Sequence, residues 1–156
     1  MPIKRNKNIV PLSREHHATL LFCWKLKSGI QLGIDPERIQ RYVNYFYEHE
    51  LLPHFKKEED LLFTDHQDEM VQKALQDHQS ILSKVKEVKN CHGEHCYSVF
   101  EELAALVNDH TRYEERTLFP YLESKIPEEE LERIGKILEG EDHGAEENYN
   151  DQFWIQ

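Results

Sequence analysis

The chain has no long apolar run. No stretch approaches the roughly 18 unbroken apolar residues that a membrane-spanning helix requires, so no membrane span is expected. Met1 to Val10 is basic and polar and lacks the apolar core of a secretory leader, which points to a cytoplasmic protein. Cysteine is scarce: Cys23, Cys91 and Cys96 are an odd set, which excludes a secreted disulfide framework as the organising principle. Positive charge is in deficit, with 19 Lys and Arg against 30 Asp and Glu and a net charge of −11. Such a chain repels phosphate, which argues against nucleic acid and anionic membranes as partners. Strand signal is almost absent as well, since few segments alternate apolar with polar residues.

What remains is helix, and 156 residues suffice for one domain with a real core. Leu12 to Gly33 reads as a first helix, with Gly33 as its stop. Asp35-Pro36 is an N-cap followed by proline at the first helical position, opening a second helix that runs to about Phe63. Pro53 is expected to bend that helix just before His54. A third helix covers about Gln67 to Lys89, residues 90–95 form a turn, and a fourth helix runs from about Glu94 to Lys125. Pro127 opens a short fifth helix that ends near Gly140. The fold class is therefore all-α: a bundle of four long helices with a short fifth C-terminal helix. Residues 1–140 make the bundle, and residues 141–156 an acidic tail that is either disordered or docked by its aromatic end at Phe153, Trp154 and Ile155.

The apolar stripes carry an anomaly. Where leucine would be expected, His16, His54, His78 and His110 appear, one on each of the four long helices. Two of them are followed one turn later by a glutamate, in His54-Phe-Lys-Lys-Glu58 and His110-Thr-Arg-Tyr-Glu114. On the fourth helix the stripe reads Leu103, Leu106, Val107, His110, Tyr113, Glu114, Thr117, Leu118, Tyr121. Chance alone supplies about one His-x-x-x-Glu pair in a chain of this composition. A third copy, His143 to Glu147, lies in the tail with no stripe around it. Position is what makes the other two specific. Residues at i and i+4 share a helix face, so one helix can offer a nitrogen and an oxygen to one cluster. His16 lies 17 residues before Gly33, and His54 lies 18 after Pro36, so the two reach one height in an antiparallel pair.

Six polar side chains at core depth must satisfy one another or hold a metal. Structural zinc prefers four ligands, often with sulfur, whereas calcium and magnesium want oxygen. Imidazole with carboxylate suits iron or manganese, and paired inward carboxylates in a bundle commonly bridge two metals. The candidate ligands are thus His16, His54, Glu58, His78, His110 and Glu114. His17 competes with His16, which is favoured because Leu12, Leu20 and Cys23 continue its stripe.

The ordered set Leu12-Ser-Arg-Glu-His16, His54-Phe-Lys-Lys-Glu58-Glu59, Asp77-His78 and His110-Thr-Arg-Tyr-Glu114-Glu115-Arg-Thr-Leu-Phe-Pro120 resembles the hemerythrin-like, HHE cation-binding domain family over roughly Leu12 to Leu138. The resemblance implies an antiparallel, up-down four-helix bundle that holds a non-haem centre of two iron ions, oxo- or hydroxo-bridged. It also implies a role in binding or sensing dioxygen, another small diatomic such as nitric oxide, or iron and redox state. An enzyme-like role in peroxide or nitric oxide chemistry, or iron donation for iron–sulfur centre repair, is the alternative. Oxygen-carrying members place a second histidine four before the third-helix ligand; here that position is Ala74. Both irons should then keep an open position, and the reduced protein should react with oxygen instead of carrying it. The protein partner is not legible.

Other features have blander readings. Cys91-His-Gly-Glu-His-Cys96 holds four potential zinc ligands in a loop short for a closed site, and a plain turn is the favoured reading. Cys23 reads as a buried core thiol, His49 as a residue turned away from the site, and His66 as a turn residue.

Overall fold

The computed structural model of the protein describes residues 4–141 and 149–155. Among these there is helix and no strand. Helix α1 spans Val10–Gln31 and ends at Leu32 and Gly33, where φ of +65° suits glycine. Asp35 caps α2, Pro36–Phe46, its carboxylate accepting from the Glu37 N–H. The helical run continues through a wide π-turn, Tyr47–Leu51, into α3, Leu52–Lys57, and then a second π-turn, Glu58–Leu62. Asp68 caps α4, Glu69–Asn90, accepting from the Met70 and Val71 N–H groups. Helix α5, His95–Tyr113, passes through a third π-turn, Glu114–Leu118, into α6, Phe119–Lys125. Helix α7 covers Glu128–Glu141. Helix α5 lies against both α1 and α4, and α2 reaches α4.

The predicted bend at Pro53 takes a particular form. Proline lacks an N–H and its ring clashes with the carbonyl four residues back. The chain accommodates this by widening the preceding turn, so that the Leu52 N–H bonds to the Tyr47 carbonyl. Pro120 is treated the same way: the Phe119 N–H reaches back to Glu114. The widened turn also shifts the stripe. The expected inward Thr117 is exposed and Phe119 is fully buried in its place, while Leu118 is buried as expected. A uniform 3.6-residue period does not hold across a π-turn.

The apolar core is in two parts. One holds Phe22, Leu26, Tyr42, Phe46, Val85 and Phe100; the other holds Leu12, Phe63, Val71, Ala74, Leu118 and Phe119. The polar candidates fall between them along every long helix. Helix α1 passes from the second cluster at Leu12 through His16 to the first at Phe22, and the 36–62 run passes from the first to the second through His54 and Glu58. Helix α4 repeats the order of α1, and the 95–125 run repeats that of the second.

Two expectations near the ends are decided. Cys91 and Cys96 form a disulfide across the α4–α5 turn, so neither sulfur is free for the zinc site weighed above. The tail's aromatic end docks: Phe153 is buried against Gly29 and Tyr42, Trp154 lies over the Lys25 ammonium at 4.1 Å, and Asp151 pairs with Arg38 at 2.6 Å. The tail copy of the motif, His143 to Glu147, lies outside the described residues, as do 142–148 and 156 of the acidic tail. No helix among the described residues is long and apolar enough to cross a membrane.

Candidate metal centre

The structure brings all six sequence-predicted residues together. His16, His54, His78 and His110 are each 3% exposed, and Glu58 and Glu114 are completely buried. They form two overlapping groups, His16, His54, Glu58 and Glu114 on one side and Glu58, His78, His110 and Glu114 on the other. Within each group one donor atom per residue lies within 4.8 Å of all the others, and the two glutamates belong to both. His17, the competitor of His16, is exposed, and so is His49, which packs on the Tyr45 ring. Helix periodicity puts His16 in and turns its neighbour about 100° away.

The convergent atoms are short of partners. The Nε2 atoms of His54, His78 and His110, both oxygens of Glu58 and Oε2 of Glu114 are buried without a hydrogen bond. They are nonetheless close: His54 Nε2 stands 3.1 Å from Glu58, and His110 Nε2 3.2 Å from Glu114, at distances of ion pairs but without hydrogen-bond alignment. Only His16 Nε2 makes such a bond inward, to Glu114 at 2.9 Å. Buried polar atoms are ordinarily satisfied. A ring of nitrogen and oxygen lone pairs aimed at common points is the donor set a cation completes, so the residues fit a pair of metal ions.

The electrostatics agree. Burial pushes the His54 imidazole down, but the Glu58 charge and the Glu15 hydrogen bond more than offset this and hold it at about 9. His110 is likewise pushed down by burial and lifted further, to about 10, by the charge of Glu114 and the hydrogen bond of Asp77. His16 is raised against its burial by Glu114 and Glu115. Burial would raise Glu58, yet the charge of His54 and the nearby imidazoles of His16 and His78 hold it well below the ordinary carboxylate range. Among themselves, the groups make protons stand where positive charge is wanted.

Sequence reasoning missed an outer layer. His16 Nδ1 is 2.7 Å from Glu115, His54 Nδ1 2.7 Å from Glu15, His78 Nδ1 2.7 Å from Glu59 and His110 Nδ1 3.0 Å from Asp77. Lys57 holds Glu15 at 2.7 Å, and Glu115 is held at 2.9 Å by Arg5 and also by the Ser13 hydroxyl. The signal was available in the doublets Glu15-His16, Glu58-Glu59, Asp77-His78 and Glu114-Glu115, in which every carboxylate of the layer adjoins a candidate ligand. Arg5 had no such signal; it precedes α1 in sequence, yet its guanidinium sits 5.4 Å over Phe119, which in turn stacks on His16. A ring also backs His78, with Phe55 stacked at 3.8 Å.

Beside the centre lies a narrow gap lined by Thr19, Leu51, Phe55, Val107 and Thr111 together with His16, His54, His110 and Glu114. Both threonine hydroxyls are turned away from it, donating to the carbonyls four residues back, Thr19 to Glu15 and Thr111 to Val107.

Among known proteins, the sequence profile of the hemerythrin HHE cation binding domain matches residues 9–122. No curated protein and no solved structure gave a match.

Proposed function

The chain belongs to the hemerythrin HHE cation-binding family, and from that premise we propose that it is a non-haem di-iron protein that binds or senses dioxygen or another small diatomic. The observation that carries the reading is the pair of donor groups sharing Glu58 and Glu114, which would offer each of two metals two imidazoles and two common carboxylates. Glu58 and Glu114 would bridge; His16 and His54 would hold one iron, and His78 and His110 the other. Four imidazoles with two carboxylates suit iron better than zinc, calcium or magnesium. A bound iron pair would supply one-electron chemistry toward a diatomic.

The residues around the pair supply the rest. The two apolar clusters close the centre off from water on both sides along the helices. In the gap beside it, Thr19 and Thr111 spend their hydroxyl protons on the Glu15 and Val107 carbonyls of their own helices, so neither donates into the centre. Ala74 is fully buried one turn before His78 and offers no fifth imidazole. This symmetry of donors supports reaction with oxygen, and thus sensing, over storage.

The order of the two apolar clusters reverses from each long helix to the next, which supports an up-down, antiparallel four-helix arrangement. The decisive experiment is metal analysis with an absorption spectrum on protein purified with and without air. About two irons per chain are expected, with near-ultraviolet bands that change on reduction; one zinc and no iron from iron-replete cells refutes the reading.

A further inference from the structure

The four outer carboxylates do more than adjoin ligands. Glu15 on α1 takes the Nδ1 of His54 on α3; Glu59, in the π-turn after α3, takes that of His78 on α4; Asp77 on α4 takes that of His110 on α5; and Glu115, in the π-turn after α5, takes that of His16 on α1. The links therefore close a circle. Every long helix contributes one imidazole and one carboxylate, and every carboxylate grips the imidazole of the next helix round, never its own.

We propose that Glu15, Glu59, Asp77 and Glu115 are positioning residues of the metal centre, a closed ring that turns all four Nε2 atoms inward and surrounds the metals with negative charge. The chemistry is simple. An ionised carboxylate only accepts, so the nitrogen it touches must carry the proton and donate it. With each Nδ1–H committed outward, the lone pair of each ring sits on Nε2, the nitrogen that faces Glu58 or Glu114. A ring free to flip would present either nitrogen. The carboxylates are a quarter to two-fifths exposed, so they carry their charge in solvent contact and escape the cost of full burial, while the imidazoles they hold are nearly inaccessible. Their charge stabilises the more oxidised, more positive metal pair.

This inference rests on the two-metal reading, and the test separates the two. Metal-stripped protein is titrated anaerobically with ferrous iron and, separately, with cobalt(II), whose visible spectrum reports its donors. The variants are Glu59→Ala and Glu59→Gln, Glu15→Ala and Glu15→Gln, and Asp60→Asn as a neighbouring exposed control. The alanine variants should weaken metal binding about 10- to 100-fold. The glutamine variants keep an oxygen that accepts from Nδ1–H but lose the charge; they should recover most of the affinity, retain the cobalt spectrum and raise the midpoint potential of the iron pair. The control should behave as the parent, and melting curves of the stripped variants show that each is folded. Unweakened alanine variants, glutamine variants no better than alanine, or an unmoved potential in the glutamine variants would each overturn the ring while leaving the centre in place. A parent protein that takes up neither metal would overturn the two-metal reading, and the ring falls with it.

Discussion

Stripping the metal should reverse the way stability depends on pH. In the stripped protein His54 is held at about 9 and His110 at about 10, against an ordinary 6.5. A group whose folded value lies above its unfolded value contributes stability that is complete below the unfolded value and is lost as pH rises through the folded one. The window is therefore pH 6.5 to 10. At about 1.4 kcal/mol per pH unit, the His54 gap is worth about 3 kcal/mol and the His110 gap about 5. The two imidazoles lean on one shared pair of carboxylates, so their contributions overlap, and a net loss of about 3 to 5 kcal/mol is expected. That is a large part of a stability of about 5 to 15 kcal/mol typical of single domains. On the acid side Glu58, held low mainly by the charge of His54 against its burial, works oppositely: its contribution is present above 4.5 and fades below it. In the loaded protein the Nε2 lone pairs belong to metal, protons compete for them, and stability should instead fall toward acid. The assay is denaturant unfolding of both forms at pH 6, 7.5 and 9. A stripped protein whose midpoint is flat or rises between pH 6 and 9 would refute the linkage, and His110→Gln should reduce the alkaline loss in that form by more than His54→Gln does.

His16→Ala should cost metal content and spectrum while His17→Ala keeps both, because His16 is buried among the donors and His17 faces solvent; metal per chain by elemental analysis checks this, and the reverse pattern would be fatal to it. Arg5→Ala removes the ion pairs to Glu115 and Glu123 and the cation over Phe119, so unfolding should shift by about 1 to 3 kcal/mol and iron should leave faster to a chelator. Gly29→Ala places a methyl 2.8 Å from the Phe153 ring and 2.9 Å from Ile39, and should undock the aromatic end at a cost of about 1 to 3 kcal/mol; limited proteolysis of the tail reads it, and Phe153→Leu in the same chain should restore part of the loss.

The features legible in the sequence share one property: each depends on a local pattern that tertiary structure did not override. Asp35-Pro36 marks a cap and a first turn, and the structure has both. The four histidines were legible because a polar residue within an apolar stripe is improbable unless it is needed, and His16 won over His17 on the continuity of its stripe alone. Thr117 failed because the stripe was extended at constant period through a π-turn, and nothing in Glu114-Glu115-Arg116-Thr117 announces an i→i−5 bond. Pro120 was the available clue, since the wide turn before Pro53 is the same solution to the same missing N–H. The Cys91–Cys96 bond escaped because an odd cysteine count argues against a framework of disulfides, not against one local bridge. Phe153 could be placed only by a contact more than a hundred residues away in sequence, with Gly29 and Tyr42.

The doublets show how one short pattern can encode both a ligand and its support. Consecutive helix residues point about 100° apart, so when one faces the bundle axis its neighbour faces the seam with an adjacent helix. The side on which the neighbour falls depends on chain direction. On α1 and α4 the support precedes the ligand, as Glu15-His16 and Asp77-His78; in the other two runs it follows, as Glu58-Glu59 and Glu114-Glu115. Viewed from one end of the bundle, stepping back along a helix that runs away and stepping forward along one that approaches turn in the same sense. The alternation of order is thus what a ring of single direction requires if the helices alternate up and down. It supports that arrangement independently of the apolar clusters. It also explains why the carboxylates of the ring are not interchangeable in sequence: moving Glu59 to the position before Glu58 would aim it at the wrong seam, leaving the His78 Nδ1–H without an acceptor.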